Sequence, residues 1–201
     1  MSSLIENNMK ETLITKRVLI ISIVVSSAML ITTASQFSIA TSFDVERFMN
    51  MTEEQRVLGG HNMTGEERQL VMNEFSKQNS TIDENITETM DPNDAMPLTG
   101  NFKDAGDGFH MVAGVAKVIN LEDGRTFLRL ESLKATNGPD LYVYLATGAD
   151  TSDIVNLGRL KGNIGNQNYE IPTGTDLAKY NTVLIWCKAF STLFGSAKLS
   201  S

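Results

Sequence analysis

The chain has 201 residues, of which 41% are hydrophobic and 20% charged, with a formal net charge of −7 at pH 7 and a single cysteine. That length holds one domain of about 100 to 150 residues plus additional segments. One cysteine excludes an internal disulfide and any multi-cysteine zinc or iron–sulfur site, and the acidic balance excludes a nucleic-acid surface. The acidity is local. Residues 41–95 carry twelve acidic and four basic side chains, whereas residues 96–201 carry ten of each.

Lys16-Arg17 precedes Val18 to Ala40, twenty-three residues without a charge. A helix of that length spans a hydrocarbon core of about 30 Å. The flanking charges place residues 1–17 in the cytoplasm and the rest outside the membrane. The expectation is a single-pass signal anchor over 18–40 in the cell membrane. Ser38-Ile39-Ala40 also suits a signal peptidase, so a cleaved signal peptide is the rival reading.

Residues 41–97 read as an acidic linker or stalk. Four N-x-T/S sequons fall here, making Asn50, Asn62, Asn79 and Asn85 glycosylation candidates, although polar residues of a bland linker produce the same pattern. Thr52 with Gln55, and Thr64 with Glu67, have the capping-box spacing. They predict two short helices, separated by Gly59-Gly60. Residues 76–95 read as disordered linker ending at Pro92 and Pro97.

From 98 to 201 the pattern becomes short strands and turns. His110 to Ile119 is rich in β-formers, Asp123-Gly124 is a hairpin turn, and Thr126 to Leu133 follows. Asn137-Gly138-Pro139-Asp140 is a turn that opens onto Leu141-Tyr142-Val143-Tyr144-Leu145, with aliphatic and tyrosine side chains on opposite faces. Gly158, Gly162 and Gly165 suggest a loop-rich region, and Tyr169 to Ile171 a short strand stopped by Pro172. Val183 to Phe190 and Ser191 to Leu199 close the domain. About seven or eight short strands and no convincing helix predict an all-β, antiparallel β-sandwich.

Few residues offer chemistry. Cys187 shares a strand face with Ile185 and Val183, and such a thiol is commonly packed core. A soft-ligand or redox role needs a stabilised thiolate and access from solvent. Lys188 points to the opposite face and is a poor activator. His110 begins the first long strand; it reads as a hydrogen-bonded structural residue or as a single haem or metal ligand. His61 and Met111 are weaker candidates. No nucleophile elbow, phosphate loop or HExxH is present, so no catalytic constellation supports an enzyme.

Several landmarks occur in a fixed order: Phe109-His110, Gly114-Val115-Ala116, Leu128 to Glu131, Asn137 to Leu145, Leu157 to Asn163, Gly165 to Pro172, Val183 to Phe190 and Phe194 to Ala197. Over about residues 100–199 they resemble the DM-thirteen domain family, a β-sandwich module related to DOMON domains. The resemblance implies extracytoplasmic electron transfer, with Cys187 at the signature cysteine as a free thiol or as the ligand of a group such as haem. Two readings follow. One is a membrane-anchored redox or cofactor-binding module centred on Cys187, with haem or a metal held there and His110 as a further ligand, serving an unknown redox partner. The other is a non-catalytic cell-surface interaction module, with Cys187 as core and the Tyr142/Tyr144 face as its contact surface.

Overall fold

The structure is a computed structural model that describes residues 43–92 and 97–201. The cytoplasmic tail and the membrane span expected over 1–40 lie outside the described residues. Among the described residues no helix is long and apolar enough to cross a membrane.

Three helices come first: α1 (Val45–Met49), α2 (Glu53–Asn62) and α3 (Gly65–Ser76). Their starts follow from local chemistry. Asp44 accepts from the Arg47 backbone N–H at 2.9 Å. Thr52 with Gln55, and Thr64 with Glu67, form full reciprocal capping boxes that satisfy backbone donors at each helix start. The Gly59-Gly60 pair does not separate two helices as expected. It lies inside α2, and the break falls at Met63. Close approach explains the glycine: a Cβ on Gly60 would stand 2.3 Å from the Ala189 carbonyl oxygen.

Ten strands follow among the described residues: β1 (Thr81–Asp83), β2 (Thr99–Asn101), β3 (Lys103–Asp104), β4 (Val112–Asn120), β5 (Thr126–Ala135), β6 (Leu141–Ala146), β7 (Ile154–Arg159), β8 (Ile164–Ile171), β9 (Thr182–Cys187) and β10 (Thr192–Lys198). They form two five-stranded sheets, in the orders β1-β8-β5-β4-β2 and β3-β10-β9-β6-β7. The inward faces supply Leu128, Leu130, Val143, Leu145, Val183, Ile185 and Phe194, all fully buried. Alternation along each strand puts these residues on one side, and burying that side between the sheets drives the fold.

The strand count exceeds the expected seven or eight because β1, β2 and β3 have only two or three residues each, too few for any alternation to show. The sandwich is also not wholly antiparallel, since β1 pairs parallel with β8. Residues 76–92, expected as disordered linker, contain that edge strand. Its backbone groups pair with Ile164 to Asn166, and Asn163 accepts from the Ser80 N–H at 2.7 Å.

The glycine-rich stretch read as loop is two strands. Gly158, at φ +111°, sits where the β6–β7 register shifts, and Gly165, at φ +109°, lies within β8. Glycine serves here because only it adopts these angles without strain. The Asp123-Gly124 hairpin between β4 and β5 forms as expected, with Gly124 at φ +85°.

Gly165→Ala is expected to strain φ and drive a Cβ into the Ile82 carbonyl, which would stand only 1.9 Å away. Hydrogen exchange should accelerate in Thr81–Asp83 before it does in β4 and β5. Leu128→Ala, at a fully buried site, should cost about 2–5 kcal/mol in urea unfolding.

Candidate functional site

Cys187 ends β9 with no exposed surface. Alternation places it with Ile185 and Val183 toward the inter-sheet core. Leu184 and Trp186 face outward to join Tyr142, Tyr144 and Leu193. Burial pushes the thiol pKa up to about 11, and the nearby Asp140 carboxylate adds to the rise. The nearby backbone amides of Phe190, Asp140 and Ala189 work against that rise. The group is therefore a protonated thiol at neutral pH, at the start of the tight turn after β9. Ser191 closes that turn at φ +50°.

Asp140, the last residue of the Asn-Gly-Pro-Asp turn, lies beside this thiol and is also fully buried. Arg56 of α2 grips its carboxylate with two bonds, from Nε to Oδ2 at 3.0 Å and from Nη2 to Oδ1 at 2.8 Å. Arg159 of β7 adds a third, from Nη2 to Oδ1 at 3.0 Å. A buried carboxylate survives only when it is paired and hydrogen-bonded in this way.

A second carboxylate sits a turn away. Glu53 accepts from the Tyr142 hydroxyl, from Arg159 Nη1 at 2.8 Å and from Lys188 Nζ at 2.9 Å. The Tyr142 hydrogen bond and then the Lys188 bond hold its pKa down to about 2, against the opposing effect of burial. Tyr142 moves up to about 12, through burial first and then through its bond to Glu53. The arginine and lysine also flank the Tyr142 ring, at 5.8 and 5.1 Å from its centroid.

Apolar contacts complete the cover. Phe48 of α1 stacks on Phe190 at 6.0 Å, and the Arg68 guanidinium lies 5.7 Å from the same ring. His61 Nε2 lies 3.3 Å from the Ser191 hydroxyl. The three helices therefore cap the Cys187 turn, in the segment expected to be stalk.

His110 stands apart from this cluster. Its Nδ1 bonds Asp107 at 2.5 Å, and its ring leans on Phe194 at 4.3 Å and on Phe109 at 5.2 Å. Burial would raise the Asp107 pKa, but bonds from the His110 ring and from the His110 and Phe109 amides outweigh it and bring it to about 2. A cavity of about 620 Å³ next to this loop is lined by Phe109, Met111, Val112 and Thr136, and Cys187 does not border it. His110 holds Asp107 through Nδ1, and its partners are Asp107, Phe109 and Phe194, not Cys187. Among the described residues no three His, Cys, Asp or Glu side chains converge as metal ligands. With Cys187 fully buried and protonated, and His110 in contact with other residues, a thiolate-bound haem or metal does not fit this arrangement.

Tyr142 and Tyr144, expected as an exposed contact face, are 7% and 5% exposed. Tyr142 turns its hydroxyl to Glu53, and Tyr144 packs with Leu184, Trp186 and Leu193. The sequon residues Asn50, Asn62, Asn79 and Asn85 are all exposed. Sequence reasoning missed Glu53, Arg56, Asp140 and Arg159 as a group. The available signal was an acid in a turn directly before a wholly buried strand, because such an acid must meet a cation.

Fold and site together define a β-sandwich with a single sealed thiol at one end. Residues 102–199 match the family model described as Electron transfer DM13, so this part of the chain is a DM13 domain. No curated protein and no solved structure matches the chain.

Asp140→Asn should leave Arg56 and Arg159 facing a neutral amide and cost about 3–5 kcal/mol in chemical unfolding, the usual result of breaking a buried pair. Glu53 titrates lower when docked than when free. Its contribution to helix docking is therefore complete above its ordinary pKa of 4.5 and fades as pH falls toward about 2. Far-UV circular dichroism should show helix signal lost over that range, and Glu53→Gln should remove the pH dependence.

Proposed function

We propose that this chain is an electron-transfer module of the DM13 type that works through the Cys187 thiol itself, held at the outer face of the membrane by residues 18–40. The membership of residues 102–199 supports electron transfer as the class. The observation that carries the assignment to Cys187 is its place as the chain's one thiol, at the end of β9 beside the buried Asp140 turn, to which the next residue is tied by the bond from the Lys188 N–H to the Asp140 carbonyl. The thiolate is the electron-rich, reactive form of such a group. Burial and Asp140 hold the thiol protonated while the cap is in place, so electron exchange requires the site to be uncovered. The exposed sequons support an extracytoplasmic location for residues 44–92. The partner is a protein or small molecule that exchanges electrons outside the membrane.

A second reading rests on the zero exposure of Cys187: an interaction module with the cysteine as core. One experiment separates the two. The full chain and its Cys187→Ser variant are purified after export, with haem and metals supplied, and compared by absorption spectroscopy and by reduction of ferricyanide. The proposal expects no visible band and Cys187-dependent reduction of ferricyanide, in which the thiols of two chains each lose a proton and give one electron to one ferricyanide ion, the two sulfurs joining as a disulfide between chains. A Soret or charge-transfer band lost in the variant would replace the free thiol with a bound group. Identical behaviour of the two proteins would leave the interaction module.

A further inference from the structure

The helices that cover Cys187 lie before residue 102, outside the matched domain, yet they close onto side chains that belong to it. Tyr142, Arg159 and Lys188 build a three-donor socket for a carboxylate, and the occupant is Glu53 of α2. We propose that this socket is a carboxylate-binding site and that residues 44–76 are a displaceable latch, with Glu53 as its resident ligand and the Cys187 turn beneath it. The gating role rests on the reading of Cys187 as the working group.

Four observations carry the proposal. First, the latch is built to come away as a unit. Its helices have five, ten and twelve residues, lengths at which an isolated helix is marginal in water, so most of their order comes from docking. Second, the docking contacts reach the sandwich through a few named groups, although Phe48, Val71 and Met72 of the helices are themselves buried. Glu53 enters the socket, Arg56 reaches Asp140, Gly60 lies against the Ala189 carbonyl, and Phe48 stacks on Phe190. Third, opening does not orphan the buried acid. When Arg56 leaves with the helix, Arg159 remains bonded to Asp140 from β7, inside the sandwich. Fourth, the latch is tethered. Strand β1 begins at Thr81, five residues after α3 ends, and stays paired with β8, so the helices swing without leaving the molecule.

The test measures alkylation of Cys187 by iodoacetamide in the full chain under native conditions. Two variants loosen the latch by unrelated means. Gly60→Ala favours the helix itself but puts a methyl against the Ala189 carbonyl, and Glu53→Gln empties the socket of its charge. Glu54→Gln, on an exposed neighbouring side chain, is the control. The first two should label at least about tenfold faster than wild type and the control at the wild-type rate, since losing one charge-assisted contact shifts an opening equilibrium by roughly that factor. Amides of β4, β5 and β9 should stay protected from exchange throughout. Labelling of both loosened variants at the wild-type rate would overturn the latch.

If either variant fails to fold, hydrogen exchange on the wild type decides the matter. Amides of α2 and α3 that exchange through an opening confined to the helices support the latch. Amides that exchange only together with β4, β5 and β9 make the helices part of one core and overturn it. Faster labelling without Cys187-dependent reduction of ferricyanide would keep the latch and retire the thiol as the electron-transfer group.

Discussion

A carboxylate with no access to water has to be neutralised where it stands, and Asp140 is that carboxylate. Its two arginines come from different elements, Arg56 from a helix upstream of the domain and Arg159 from the second sheet. Desolvating the acid costs several kcal/mol unless both charge and hydrogen bonds are supplied. That requirement pins α2 to the sandwich, orders the turn before β6 and brings Glu53 to the Tyr142 hydroxyl. The thiol of Cys187 lies next to the same acid, so its protonation and its cover depend on the same ion pairs.

The organisation of the cysteine end follows. Burial and the adjacent negative charge disfavour a thiolate, and burial prevails over the nearby backbone amides. The outcome is a quiet thiol while the helices cover it. Sealing of this kind separates the site from a constitutively reactive cysteine, which is exposed and lies in electropositive surroundings. His110 plays no part in it. Its bond to Asp107 and its packing on Phe194 describe a residue that braces the loop before β4.

Much of the fold was legible along the chain. The capping boxes at Thr52 and Thr64 formed as their spacing required, because a helix start is satisfied by residues three apart and needs no distant partner. The Asp123-Gly124 hairpin and the alternation of Leu141 to Leu145 are local in the same sense. Gly60 and Gly165 were misread for one reason. Each is glycine because another backbone passes within a Cβ's reach, at Ala189 and Ile82, and nothing near either residue in sequence announces that neighbour.

From its sequence alone the chain specifies a β-rich C-terminal half that resembles the DM-thirteen family, capped helix starts before it, and a lone cysteine at the end of a buried strand. These are properties of spacing and residue type over a few positions. Tertiary structure decided that the acidic segment 44–92 packs on the sandwich instead of standing off as a stalk. It also decided that Tyr142 and Tyr144 are buried, and that Cys187 is sealed beside Asp140. Each of these outcomes joins residues far apart in the chain, Glu53 to Lys188 and Arg56 to Asp140, and charge pairing across such separations leaves no periodic trace in the sequence.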